Sequence, residues 1–320
     1  MGDLLRVAIL AGGNVAERDI SLKSAATIHR HLNRDRYEPY IIELNGSAFV
    51  DQATRTVLDK NDFSFEHASE RISFDLVFPY IHGHPVEDGQ IQGYFKLLGI
   101  PCTGCDTFVS ALTFNKQACK NYLASFEVPL APSVVLRAGS EFNHAALREM
   151  KLPLFVKPNK NGSSYGVSKV KDFGELEAAI ERAFQFDDEV IVEGYLDGRE
   201  FSNGVVRRHG EIVVLPITEI IPEAEYFDYE AKYEGHSQEI TPADLTPEET
   251  GQCQQLSRYL YEILDCRGMV RFDYILTDGR FYLLEPNTTP GFSQASLIPQ
   301  QAAAHGWTLT ELLDAAITDL

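Results

Sequence analysis

The 320-residue chain has no apolar run that approaches the roughly 20 residues needed to cross a bilayer, and its N-terminus has no charged segment followed by an apolar one. Neither a membrane span nor export is expected, so the cytoplasm is the expected location. There is no basic stripe either: 28 Lys and Arg stand against 47 Asp and Glu, a net charge of −19. Nucleic acid, which is held largely through its phosphates, is therefore excluded as an expected partner. Small anions are not excluded, because a few well-placed cations can outweigh the global field locally. The five cysteines (102, 105, 119, 253 and 266) are odd in number and lack a secretion signal, which argues for free thiols. Cys102-Thr-Gly-Cys105 has no second pair and no histidine cluster to complete a zinc site, and reads as small residues at a strand end. Both GxGxxG and GxxxxGK[ST] are missing, which excludes the dinucleotide and P-loop solutions. No low-complexity tract or block of like charge suggests a disordered tail.

What is present is ample for packed interiors: 44% hydrophobic residues, 11% aromatic. At this length two or three domains are expected in a globular protein. The opening reads as strand, glycine turn, helix: Arg6 to Leu10 is a buried-strand pattern, Ala11-Gly12-Gly13 a tight turn, and Leu22 to Leu32 a helix that Ser21 could cap. Further strands are expected at Tyr37 to Leu44 and Asp75 to Tyr80, the beginning of a doubly wound α/β unit. Ligands in such sheets collect beyond the carboxyl ends of the strands. Glu17 would lie there, either holding an ammonium group or simply favoured by a helix N-terminus. The loop His82-Gly83-His84-Pro85-Val86-Glu87-Asp88-Gly89 leads into a helix over Gln90 to Leu98 closed by Gly99; its histidines suit hydrogen bonding better than metal binding.

Lys116 and Lys120 share a helix ending near Phe126, followed by strands at Ser133 to Leu136 and Leu154 to Pro158. The second strand carries Lys157 among apolar residues. Asn161-Gly162-Ser163-Ser164-Tyr165-Gly166 then offers backbone N–H groups and hydroxyls suited to phosphate, or forms a plain hairpin tip, ahead of a strand at Val167 to Val170. A strand ends at Glu193, and Gly194 to Gly198 reads as a hinge. Glu200 precedes a strand over Ser202 to Arg207, and another follows at Val213 to Leu215. Ile220 to Asp244 is polar, aromatic and aperiodic, a long loop of the kind that acts as a lid. A helix over Pro247 to Asp265 follows.

The stretch Arg271 to Gly291 carries the densest chemistry. Val270 to Leu276 and Arg280 to Leu284 read as a hairpin through Thr277-Asp278-Gly279. That pairing brings Asp273 and Glu285 together, with Asn287 two residues on, on the same face as Glu285. Oxygen donors few enough to leave room for phosphates are the pattern of a Mg²⁺–nucleotide site. Arg271 and the Pro290-Gly291 turn flank it.

Taken in order, Glu17 in GGxxxE, HGxxxEDG, KPxxxGSSxG, YEAKY and RxD…ExNTxPG resemble the D-alanine:D-alanine ligases of the ATP-grasp superfamily over essentially the whole chain. The resemblance implies an N-terminal doubly wound parallel-sheet domain (1–105) and a two-lobed ATP-grasp fold, with a central α+β lobe (106–193) and a C-terminal lobe (194–320) whose lid spans about 220–244. It implies ligation of two D-alanines through an acyl phosphate for peptidoglycan precursors. D-lactate or D-serine as acceptor, or a regulator that has lost catalysis, are the alternatives; Tyr233 argues for an amine acceptor.

It further implies that Lys116, Lys157, Ser164 and Lys232 meet the phosphates, that Glu193, Tyr195 and Leu196 meet adenine, and that Glu200 meets ribose. Asp273, Glu285 and Asn287 would hold two Mg²⁺ or Mn²⁺ ions. Glu17 would take the first ammonium, His82 would contact substrate, and Ser296 and Leu297 would hold the second carboxylate. Arg271 and the Gly291 N–H would hold the oxyanion, and Tyr233 would bond Ser163 and Glu17. A homodimer is expected. Three departures stand out: Val86 and Asn14-Val15 replace the usual residues, and Pro286, which lacks an N–H, implies an edge strand.

Overall fold

Parallel pairing organises the N-terminal third. In the computed structural model, which describes residues 4–13, 17–141, 144–162, 165–222 and 237–318, strand β1 (Leu5–Gly12) lies between β2 (Tyr37–Asn45) and β6 (Leu76–Pro79), parallel to both. β3 (Ala48–Asp51) extends the sheet antiparallel beyond β2, giving the order β3-β2-β1-β6, while β4 (Phe65–His67) and β5 (Glu70–Ile72) form a separate hairpin. β3 to β5 were not expected: their short runs carry too little alternation to be distinguished from turns. The chain leaves β1 toward β2 on one side and toward β6 on the other, so a crevice opens beyond the carboxyl ends of β1 and β6.

Helix α1 (Arg18–His31) starts at Arg18, with Glu17 in the N-cap position, not at Leu22, and Ser21 is no cap. Its hydroxyl is buried, accepts from Gly12 N (3.0 Å) and donates to Tyr80 O (2.6 Å), tying the ends of β1 and β6 together. Gly12 and Gly13 have φ of +99° and +86°, a turn that a β-carbon would obstruct: at Gly12 it would stand 2.6 Å from Leu44 O. Helix α2 (Gln90–Leu98) ends at Gly99 in the left-handed conformation, as expected. Val86 has no positive φ and packs in the core beside Ile91 and Phe95, so glycine's freedom is not required there.

Helices α3 (Thr107–Phe114) and α4 (Lys116–Ala124) are capped by Asp106 and Asn115. β7 (Ser133–Arg137), α5 (His144–Glu149), β8 (Leu154–Pro158), β9 (Ser168–Val170), α6 (Leu176–Ala183) and β10 (Glu189–Gly194) make a second sheet, ordered β7-β10-β8-β9, with α5 and α6 on its apolar face.

The third sheet comprises β11 (Arg199–Arg208), β12 (Glu211–Val214), β13 (Thr218–Pro222), β14 (Ser237–Ile240), β15 (Met269–Thr277) and β16 (Arg280–Asn287), in the order β14-β13-β11-β15-β16 with β12 beside β11. Helix α7 (Pro247–Ile263) begins with Thr246 and Glu249 in a capping box and packs, with α3 and α4, in the core of this sheet. The expected loop over 220–244 is corrected at both ends: β13 and β14 pair from Glu219 with Ile240 to Pro222 with Ser237. Short strands bounded by polar residues hide in an aperiodic tract. The final helices, α8 (Leu297–His305) and α9 (Leu309–Ile317), return to cover one face of the first sheet, where Leu312, Leu313 and Ile298 join Val7 and Ile9 in one core.

Candidate active site

The β15–β16 hairpin turns through Asp278 and Gly279, both with positive φ. Asp273 pairs directly with Glu285, and Asn287 pairs with Arg271, so the three oxygen donors do share one end of the hairpin. A register shift after Asp273 marks a β-bulge, a common device for re-aiming a side chain next to a site. β16 is the outer strand of the order, and Pro286 sits on it, as its missing N–H requires.

Arg271 grips Asp273 in a fork, Nε to Oδ1 at 2.9 Å and Nη2 to Oδ2 at 2.8 Å, and Ser202 Oγ donates to the same Oδ1 at 2.8 Å. All three are largely or fully buried. Such a bidentate pair fixes the guanidinium plane. Asn287 Oδ1 accepts from Thr289 N at 3.1 Å, holding the following turn.

Beside the hairpin, Lys116 Nζ donates to Asn161 O (2.8 Å) and lies 3.5 Å from Glu285. Glu193 is buried between two ammonium groups, Lys120 and Lys157, each at 2.6 Å. Burial works against the Glu193 charge, but the two lysines outweigh it and hold the carboxyl below its ordinary range. Burial likewise opposes the charge on Lys157; Glu193 and Glu285 overcome it and leave that ammonium above its usual value. For Lys120 burial wins and the pKa falls. In the sequence the one sign of Lys120's part in this cluster is its place one turn after Lys116 on the same helix.

At the hinge, Tyr195 lies under Lys169 (Nζ 3.9 Å from the ring centroid) and 5.9 Å from the Phe155 ring, with its hydroxyl 3.3 Å from Asp197. Leu196 follows it, and Glu200 stands on β11 opposite Ile220 and Ile275. These residues lie where the second and third sheets meet the hinge.

Glu17 stands between two loops: a β-carbon at Gly83 would be 3.0 Å from one of its oxygens, and one at Gly162 3.6 Å from the other. The N-terminal crevice and the Gly/Ser loop therefore converge on this carboxylate. His82 is buried; its Nδ1 is 3.8 Å from Glu87, and Nε2 has no partner among the described residues. A buried polar atom without a protein partner calls for a water, an ion or a ligand to satisfy it. His84 instead faces solvent and pairs with Asp88 at 2.7 Å.

Gly291 closes the constellation. The loop carrying it is clamped by Tyr80, whose hydroxyl donates to Pro290 O at 2.6 Å, and by Ser24 Oγ, which accepts from Phe292 N at 3.3 Å. Burial drives the Tyr80 phenol far above its ordinary pKa, so it stays a donor. Ser296 Oγ accepts from Ser293 N at 3.0 Å and sits at the N-terminus of α8, next to Leu297. Tyr80, Ser24 and Ser202 carry no sequence signal: a tyrosine and two serines in apolar surroundings acquire meaning only from their partners. Ser163, Ser164, Lys232, Tyr233 and Asn14-Val15 lie outside the described residues.

The four cysteines in the interior are unpaired, as is the half-buried Cys102. Among the described residues no group of three His, Cys, Asp or Glu side chains converges as a metal site; the hairpin offers two carboxylates and one amide. Nor is any described helix long and apolar enough to cross a membrane.

The family model for "D-ala D-ala ligase N-terminus" matches residues 6–105, and that for "D-ala D-ala ligase C-terminus" matches residues 123–318. The chain is 43% identical over 312 residues to a D-alanine–D-alanine ligase of Phocaeicola vulgatus, covering 96% of each. In three dimensions it resembles a D-Ala:D-Ser ligase from Enterococcus faecalis (TM-score 0.87, 30% identity, 99% of both chains). It also resembles a D-alanine–D-alanine ligase from Bacillus anthracis complexed with ATP (TM-score 0.82, 30% identity, 98% and 97% covered).

Proposed function

The chain belongs to the D-alanine–D-alanine ligase family, and from that premise we propose how its own residues divide the work of the site. It is an ATP-dependent carbon–nitrogen ligase of ATP-grasp fold that joins two D-alanines for cell-wall peptidoglycan. The observation that carries the division of roles is one chain of contacts. Arg271 forks Asp273, whose strand partner Glu285 lies 3.5 Å from Lys116 and acts on Lys157 of the two-lysine cluster, and Lys116 bonds Asn161 O, next to the Gly162 that faces Glu17.

Lys116 and Lys157, already gathered by Glu285 and Glu193, supply positive charge to the phosphates, with Ser164 and Lys232 as further contacts. Glu193, Tyr195 and Leu196 line the adenine side and Glu200 the ribose side. Glu17 takes the ammonium of the first D-alanine, whose carboxylate attacks the γ-phosphorus, and the unpaired Nε2 of His82 meets that substrate. Arg271 and the Gly291 N–H, held by Tyr80 and Ser24, receive the oxyanion as the second amine attacks the acyl phosphate. Ser296 and the Leu297 N–H, at the positive end of α8, hold the second carboxylate. Tyr233 and Ser163 complete the bonding around Glu17 and keep water from the acyl phosphate.

Asp273, Glu285 and Asn287 fit a divalent ion by their chemistry: hard oxygen donors on paired strands, too few to fill a shell without phosphate and water. Two Mg²⁺ or Mn²⁺ ions would neutralise charge on the transferring phosphoryl group when bound. The division of the chain at 1–105, 106–193 and 194–320, a homodimer and a cytoplasmic location belong to the same proposal.

Phosphate release with ATP and D-alanine, compared with L-alanine, D-serine and D-lactate as acceptors, tests the reading. ADP, phosphate and D-alanyl-D-alanine are expected. AMP and pyrophosphate as products, or a preference for D-serine or D-lactate, would overturn it.

A further inference from the structure

Gln301 lies on the second turn of α8, fully buried, and bonds through both ends of its carboxamide. Its Oε1 accepts from Gly204 N at 2.8 Å, and its Nε2 donates to Ser202 O and to Thr218 Oγ1, both at 2.9 Å. The orientation of the amide is set by its partners: Gly204 N can only donate, and Ser202 O can only accept. Strand β11 forks at this point. It pairs with β13 through Ser202 and with β12 only from Val205 onward, and Gln301 occupies the fork. Gly204 leaves the room, since a β-carbon there would stand 2.6 Å from Gln301 Oε1 and would also strike Ile298.

The bonds continue in both directions. Ser202 also gives its hydroxyl to Asp273, and Asp273 holds Arg271 in the fork described above. Thr218 accepts from Gln301 and is left free to donate to Thr241, 2.6 Å away beyond the end of β14. A continuous hydrogen-bonded path thus runs from the helix that begins at Ser296 and Leu297, through Gln301 and Ser202, to Arg271. Apolar contacts alone, such as those of Ile298 and Ala302, would let a helix slide by fractions of an ångström; three directed hydrogen bonds in a buried fork set its register.

We propose that Gln301 is a positioning residue that fixes the distance between the carboxylate-binding end of α8 and the oxyanion arginine, so that the second amino acid is held in line for attack. This rests on the roles given above to Ser296, Leu297 and Arg271. A residue that merely fills a polar hole would affect folding and nothing else.

The test is Gln301→Met, which keeps the volume and removes all three bonds, with phosphate and dipeptide both quantified. Misplacement on this scale costs up to about a hundredfold, so kcat/KM for the second D-alanine should fall about tenfold to a hundredfold while KM for ATP holds. Phosphate released per dipeptide should rise above that of the wild type, because an acyl phosphate awaiting a misplaced amine meets water. Unchanged D-alanine kinetics with only a lowered Tm, or equal losses for ATP and D-alanine, would overturn the proposal. Should Gln301→Met fail to fold, Thr218→Val removes one bond of the three. A smaller shift in the same direction is then expected, and an unchanged KM for the second D-alanine would overturn the proposal. Wild-type protein run alongside separates the two claims: if it makes no dipeptide the reading of the site is wrong, whereas normal wild-type turnover with an indifferent variant removes Gln301 alone.

Discussion

Glu193→Gln deletes the anion that two buried ammonium groups share. Both contacts are 2.6 Å long and all three side chains are largely buried, so little solvent is available to take over the screening. Breaking a buried ion pair by removing one partner typically costs about 3–5 kcal/mol, because the survivor keeps its charge without compensation. Two survivors argue for the upper part of that range, and Glu285 near Lys157 for the lower. At about 2–4 °C per kcal/mol for a unit of this size, the expected fall in Tm is roughly 6–20 °C. Lys120→Met should behave differently. Burial lowers the Lys120 pKa more than Glu193 raises it, and Lys157 remains to neutralise the carboxylate, so removing this one cation should cost less than removing the anion the two share. The sign with pH follows from the depressed Glu193 value: its contribution is present above the ordinary glutamate range and is lost only as pH falls through the folded-state value. The gap between wild type and Glu193→Gln should therefore be full at neutral pH and close on acidification. Scanning fluorimetry of the three proteins across pH reads this directly. Lys120→Met as damaging as Glu193→Gln, or a Glu193→Gln Tm equal to wild type, would refute the account of the cluster.

Arg271→Met should lower kcat by at least about a hundredfold, the usual cost of one preorganised oxyanion donor, with little change in ATP affinity; a large loss of ATP binding at normal kcat would move Arg271 to the nucleotide. Glu285→Gln should abolish turnover at limiting Mg²⁺ while leaving the far-ultraviolet circular dichroism intact, and near-normal turnover there would remove Glu285 from the metal. Burial pushes the Cys102 and Cys119 thiols up to about 12, so at pH 8 the folded enzyme should react slowly with a thiol reagent. Titration in denaturant should then reveal five thiols.

The division between sequence and tertiary structure follows the range of the interactions. The hairpin of Asp273 and Glu285 was legible because period-two alternation and an Asp-Gly turn specify register locally, and the helix over Gln90 to Leu98 because Gly99 ends it within one turn. Family membership was legible because short motifs occur in a fixed order along the whole chain. The start of α1 is not legible for the opposite reason. Ser21 resembles a cap, but its hydroxyl is drawn to Gly12 and Tyr80, residues far away in sequence or held in a positive-φ turn. Strands β13 and β14 are not legible locally because their edges are polar and their pairing, from Glu219 with Ile240 to Pro222 with Ser237, spans the intervening chain. Only the fold could decide that Glu193 sits between two lysines, that Tyr80 and Ser24 clamp the loop of Gly291, and that Gln301 completes a forked strand. A buried polar side chain is chemically ambiguous in sequence. Its meaning comes from the partner that burial obliges it to find, and that partner is chosen by packing over distances no local pattern encodes.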